Sequence, residues 1–187
     1  MKVLFFLTMC LLIGNGLIAQ DSKSTKESRK EASQKKKEEK AAKIEDAYKL
    51  MDTILTGRKF VLEAHQLRNK QGAQINVTPN LNFVSVDSMR AVIQIGSNER
   101  AGYNGIGGIT VDGKVSNWKF SKNDKGKNFD IFMTIQSSIQ GIFDVNMTVD
   151  YSGYADASIT GMRSGRLTFS GVIVPREDSS IFKGQSH

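Results

Sequence analysis

The chain has 187 residues, with 26 Lys and Arg against 19 Asp and Glu, and its single cysteine is Cys10. One cysteine excludes an internal disulfide and a zinc site built on several thiolates. The formal net charge of +7 is spread out: nine basic residues face seven acidic ones between Asp21 and Asp46, and sixteen face twelve from Ala47 onward. Because neither part is densely cationic, the composition argues against a nucleic-acid partner.

The first nineteen residues have the layout of a secretory signal peptide. Lys2 precedes an almost unbroken apolar run from Val3 to Ile18, and Ala19 supplies the small residue before the predicted cleavage site. The run is shorter than the roughly 20 residues of a membrane span. We therefore expect residues 1–19 to be removed, leaving a mature chain without a transmembrane segment in the periplasm or outside the cell.

Residues 20–43 form a charged leader of low complexity, rich in Lys, Glu, Ser, Ala and Gln. With no apolar face to bury, this leader is predicted to be a frayed helix or a disordered tether, and the functional alternative is a spacer or a foot on an anionic envelope. From Ile44 the pattern changes. Apolar residues at three- and four-residue spacings predict an amphipathic helix over 44–56, ended by Gly57.

The rest of the chain alternates apolar and polar residues with period two, which is typical of strands. We predict an all-β fold with one N-terminal helix, in which residues 44–187 form a single antiparallel domain curled into a barrel or a sandwich. The predicted strands are Lys59–Leu67, Ala73–Val77, Leu81–Val86, Arg90–Ile95, Ile109–Val111, Lys114–Phe120, Phe129–Ser137, Ile142–Val149, Asp156–Thr160 and Arg166–Val174.

Two hairpins are predicted from their turn residues. Asp112-Gly113 suits a two-residue turn, which would place Ile109, Val111, Trp118 and Phe120 on one face. Ile139-Gln140-Gly141 suits a three-residue loop with glycine in the left-handed position. That loop predicts three apolar pairs across the hairpin: Ile135 with Val145, Met133 with Met147, and Ile131 with Val149.

The opposite face of the second hairpin is polar with one exception, Phe132. Its polar residues are Asp130, Thr134, Gln136, Asp144, Asn146 and Thr148. One apolar and one polar face across consecutive strands should fix the register, since a slip of one residue would expose the apolar set.

Glycine-punctuated segments near residues 96–110 and 165–184, together with the charged leader and the Arg58–Leu62 strand start, resemble the exported Bacteroidetes proteins of the DUF4251 family. The resemblance covers nearly the whole mature chain and implies export without implying an activity. If the host belongs to that phylum, as the resemblance implies, its O-glycosylation signal can be sought in the chain. This signal is Asp followed by Ser or Thr and then an aliphatic residue or Met. Thr53 and Ser88 fit this signal, and Ser88 is the better candidate because it lies in a predicted turn.

The candidate ligand-binding residues fall into two groups. Tyr103 and Asn104 lie on the glycine-rich segment, which leads into a strand and lacks the ending of a phosphate-binding loop. An inward set rich in aromatics and methionine is predicted to fill the core or to line a cavity for a small apolar ligand. The set comprises Trp118, Phe120, Phe129, Met133, Phe143, Met147 and Phe169, with small Ala157 and Gly171 leaving room on one side. All of the large members except Phe120 are candidate ligand contacts.

Catalytic groups are sparse. His65 and His187 form neither a metal triad nor a base with an orienting acid, so we expect no catalytic residue, no metal and no cofactor. The leading hypothesis is an exported, non-enzymatic protein that binds a small apolar ligand or an envelope protein through its barrel mouth or loops. The alternatives are a hydrolase using carboxylates near Asp150 and Asp156, which would have to converge in a concave pocket, and a structural envelope component.

Overall fold

The structure is a computed structural model that describes residues 18–97, 107–162 and 165–185, with the backbone alone described at 18–27 and 162. Within these residues one helix precedes nine strands. The elements are α1 (Ile18–Thr56), β1 (Lys59–Asn69), β2 (Gln74–Asn76), β3 (Phe83–Asp87), β4 (Arg90–Ile95), β5 (Ile109–Asn123), β6 (Asn128–Ser137), β7 (Gly141–Asp150), β8 (Tyr154–Met162) and β9 (Gly165–Pro175).

Among the described residues, eight of the strands close into an antiparallel barrel. Neighbouring strands pair in the order β1-β3-β4-β5-β6-β7-β8-β9, and β9 pairs back onto β1 from Phe60 opposite Pro175 to Asn69 opposite Leu167. β2 pairs with β1 beyond the end of β3. The predicted all-β fold with one helix is confirmed, and of the two architectures left open the chain forms the barrel.

The chain divides into two compact units between Lys43 and Ile44. In the first unit the described part of the leader is helical, and the side chains of residues 28–43 are all exposed. In the second unit α1 continues to Thr56 and buries Tyr48, Met51 and Leu55 at one end of the barrel. No helix among the described residues is both long enough and apolar enough to cross a membrane.

The antiparallel order gives the barrel two distinct ends. We call the end where β1 begins and β9 finishes the helix end, because the buried stripe of α1 packs there. We call the other the far end; β1, β4, β6 and β8 finish there, and β5, β7 and β9 begin there.

The predicted hairpin at Asp112-Gly113 is wrong, since β5 runs unbroken from Ile109 to Asn123. Gly113 lies in mid-strand, opposite Ala91 of β4. A Cβ atom on Gly113 would lie 2.6 Å from the carbonyl oxygen of Gln136 on β6. The glycine is therefore needed for the close approach of two strands and does not form a turn.

Trp118 and Phe120 nevertheless share the inward face of β5 with Val111, for a different reason from the predicted turn. The register between β5 and β6 shifts between Ser116 and Lys119, so that one extra residue is inserted into β5. A bulge of this kind changes which alternate residues point inward.

The second hairpin is correct in its faces and wrong in its register. Ile135 pairs with Phe143, Met133 with Val145 and Ile131 with Met147, two residues away from the predicted pairs. A two-residue shift leaves every side chain on its predicted face because side chains alternate with period two. Gly141 has the predicted positive φ, at 98°.

Candidate functional site

The inward aromatic and methionine residues lie in the barrel core. Phe129, Met133, Phe143, Met147 and Phe169 are each at most 4% exposed and belong to one hydrophobic cluster. Trp118 is partly buried and packs against the same cluster. These positions are where the sequence places them, and their contact with a ligand stays a prediction.

The two small inward residues adjoin close neighbours. Ala157 lies opposite Phe169 on β9 and opposite Met147 on β7. A Cβ atom on Gly171 would lie 2.0 Å from the carbonyl oxygen of Glu63, at the bulge where β1 meets β9. Because Gly171 has no Cβ atom, β1 and β9 can approach closely where their pairing closes the barrel.

Tyr103 and Asn104 lie outside the described residues, as does most of the predicted signal peptide. The described residues that flank the glycine-rich segment, Gly96–Ser97 and Gly107–Gly108, lie at the far end of the barrel. Tyr103 and Asn104 therefore stay predicted ligand contacts.

At the helix end, Tyr48 joins α1 to the barrel. Its ring stacks on Phe129 with centroids 4.6 Å apart, and its hydroxyl donates to Asp124 Oδ1 at 3.0 Å. Burial, followed by the hydrogen bond to Asp124, raises the pKa of Tyr48 to about 12. The apolar spacing in the sequence places Tyr48 on the buried stripe, but the polar contact with a turn 76 residues away has no sequence signal.

Two ion pairs flank this aromatic contact. Lys127 Nζ lies 2.8 Å from Glu45 Oε2, and Lys122 Nζ lies 2.7 Å from Asp52. The hydrogen bond from Lys127, reinforced by its charge, lowers the pKa of Glu45. Because solvent screens ion pairs at the surface, these two pairs orient α1 more than they stabilise it.

The carboxylates proposed for a hydrolase do not converge. Asp150 accepts hydrogen bonds from the backbone and hydroxyl of Ser152 and from the backbone of Tyr154, within the β7–β8 turn. Asp156 accepts from Ser170 Oγ on the outward, convex face of the barrel. Within the described residues no cluster of three metal-ligating side chains occurs. These acids have structural partners, which removes the geometric support for the hydrolase.

Both candidate O-glycosylation residues are exposed. Ser88 lies in the tight turn between β3 and β4 with a positive φ of 54°. Thr53 lies within α1 and its hydroxyl donates to the carbonyl of Lys49 at 3.0 Å. Because Ser88 is exposed in a turn and Thr53 lies within a helix, Ser88 stays the better of the two predicted sites.

The segment after β9 crosses the outside of the barrel and is held by a buried amide. Gln94 is fully buried; its Nε2 donates to the carbonyl oxygen of Phe182 at 2.7 Å, and its Oε1 accepts from the backbone of Gly184 at 2.8 Å. Lys183 binds Asp112, which also pairs with Arg90. This contact has no signal in the sequence, because an isolated glutamine in a strand gives no hint of a distant partner.

The charges around Asp112 determine its ionisation. Partial burial alone would raise the pKa of this carboxyl, but hydrogen bonds from Lys183 and Arg90 outweigh burial and lower the pKa. The C-terminal segment is therefore held by an ionised contact, Lys183 with Asp112, and by the uncharged hydrogen bonds of Gln94.

Comparisons with known proteins agree on a family. The model of DUF4251, a domain of unknown function, matches residues 42–173. A crystal structure of a DUF4251 family protein from Bacteroides eggerthii is 36% identical, with 75% of this chain and 95% of that chain covered and a TM-score of 0.60. No curated protein matches the chain.

Proposed function

The chain belongs to the DUF4251 family, whose function is unknown, and we propose that it is an exported, non-enzymatic protein that binds another envelope protein through the far end of its barrel. Export is supported by the basic start, apolar run and small final residue of positions 1–19. The observation that carries the binding proposal is the distribution of exposed apolar side chains.

Among the described residues, eight large apolar side chains are exposed, and most of these lie at the far end. Gln140 Nε2 donates to the carbonyl of Thr110, which holds the β6–β7 turn against the start of β5. Ile139 of this turn and Ile142 just after it therefore lie near Ile109, and neighbouring exposed apolar side chains of this kind are typical of protein interfaces. The far-end group comprises Ile75, Ile109, Ile139, Ile142 and Phe182, each at least 53% exposed.

The apolar-ligand alternative has less support. An eight-stranded barrel is just wide enough to be filled by its own side chains. Here the largest inward side chains, among them Phe60, Phe129 and Phe169, are fully buried in one cluster. We therefore favour binding at the rim over binding in the interior.

Position-specific photo-crosslinking in the native host tests this proposal. A photoreactive amino acid at Ile139, at the far end, is expected to capture one defined envelope protein. The same residue at Met89 is the matched control, because Met89 is similarly exposed in the β3–β4 turn of the helix end. Equal capture at both positions, or capture at Met89 alone, would refute the proposal.

A further inference from the structure

The outward face of β5–β7 carries a shallow cleft of about 430 Å³. Its side chains form two rows across the three strands. One row is Lys119, Phe132 and Asn146, and the next is Ser121, Asp130 and Thr148. With strands about 4.8 Å apart and about 3.4 Å per residue, the six side chains cover about 10 by 7 Å.

Phe132 gives this polar surface one apolar platform. Among the outward residues of β5, β6 and β7, all of which are described, Phe132 is the only aromatic one. Phe132 is partly exposed, and the exposed Lys119 reaches over its ring, with Nζ 5.7 Å from the ring centroid. A ligand that stacks on this ring therefore has to displace the Lys119 ammonium, which is itself exposed to solvent.

The groups around the ring both donate and accept hydrogen bonds. Asp130 Oδ1 accepts from Thr148 Oγ1 at 2.8 Å, which orients the carboxylate and leaves its second oxygen toward solvent. Asn146 is exposed, and no described residue hydrogen-bonds to its amide side chain. An amide offers two donors and one acceptor, so the surface matches a ligand whose own groups do both.

Charge and strand pairing narrow the class of ligand. The positive charge of Lys119 and the negative charge of Asp130 lie in neighbouring rows and offset one another, so neither anions nor cations are favoured. β6 is paired along both edges, which leaves no free backbone for an added peptide strand. The class of ligand that fits these groups is a neutral molecule with many hydroxyl groups and an apolar face.

We propose that this cleft binds a neutral saccharide, with one sugar ring packed on Phe132 and its hydroxyls hydrogen-bonded to Asp130 and Asn146. The residues lie in the middle of paired strands, so the site is held rigidly before binding. This site is separate from the far end, and it neither requires nor excludes a protein partner there.

Backbone amide NMR of the full chain, titrated with maltose, cellobiose and lactose, tests the proposal. At least one disaccharide is expected to give saturable shifts centred on β5–β7, and sodium glucuronate is expected to bind more weakly because of Asp130. Phe132→Ala should weaken binding about tenfold, since it removes the stacking surface, whereas Phe132→Tyr should keep it.

Tyr154→Ala is the matched control, because Tyr154 is an exposed aromatic at the start of β8 and lies outside both the cleft and the far-end group. It is expected to leave saccharide binding unchanged. The amide spectrum of each variant reports whether the fold is retained. The proposal is overturned if no disaccharide shifts the β5–β7 amides, if glucuronate binds best, or if a folded Phe132→Ala variant binds as the native chain does.

Discussion

Replacing Tyr48 separates the two interactions that join α1 to the barrel. Tyr48→Phe keeps the stack on Phe129 and loses the hydrogen bond to Asp124, which costs about 1–2 kcal/mol because the acceptor is charged. Tyr48→Ala also removes a ring that is 6% exposed, and the total cost should be about 3–5 kcal/mol. Urea unfolding followed through Trp118, the single tryptophan of the chain, measures both values.

The ionisation of Tyr48 makes the free energy of unfolding depend on pH, and the direction of its pKa shift fixes the sign of that contribution. Its pKa is raised from 10.0 to about 12, so the folded state favours the neutral phenol. This contribution is fully present below pH 10 and is lost as pH rises toward 12. The native chain should therefore lose its stability advantage over Tyr48→Phe in this window. The reasoning is refuted if both proteins show the same alkaline slope, or if Tyr48→Phe is as unstable as Tyr48→Ala.

Two further predictions concern the strands and the C-terminal segment. Gly113→Ala should destabilise the barrel by about 1–3 kcal/mol, because the new Cβ meets the Gln136 carbonyl at 2.6 Å; an unchanged urea midpoint would contradict the unbroken β5. Asp112→Asn should lower the hydrogen-exchange protection factors around Lys183, as should acid in the native chain. Because the pKa of Asp112 is lowered, its contribution is present above the ordinary value of 3.8 and is lost as pH falls below it. Protection factors there that stay the same as the pH falls below 3.8 would contradict the ion pair.

The sequence predicts the faces of the strands better than their connections. Alternation over β6 and β7 places Met133 and Met147 inward, and a two-residue error in the loop leaves that result intact. At Asp112-Gly113 the residues favour a turn by local preference. The strand continues there because pairing of both residues with β4, followed at once by pairing of Lys114 with β6, outweighs that preference.

Contacts between distant residues account for most of what the sequence does not predict. The β1–β9 pairing closes the barrel between residues that are 98 (Asn69 and Leu167) to 115 (Phe60 and Pro175) positions apart, and nothing local in the sequence distinguishes a closed barrel from an open sheet or a sandwich. Gln94 and Asp112 acquire their roles only when the C-terminal segment lies over them. The sequence places Phe132 as the one apolar residue on a polar face. The cleft around Phe132 has no such signal, because it depends on the β5–β6 register, which is set by the bulge in β5.

Native mass spectrometry of the chain isolated from its host, before and after denaturation, tests the proposed function most directly. We expect the denatured sample to have the mass of a chain that begins at Gln20. We expect the native sample to have a higher mass, because a noncovalently bound protein adds to it. Covalent mass that survives denaturation would direct attention to Ser88 and Thr53. A bound apolar molecule of small mass, or the bare chain alone, would contradict the proposal that the far end binds an envelope protein.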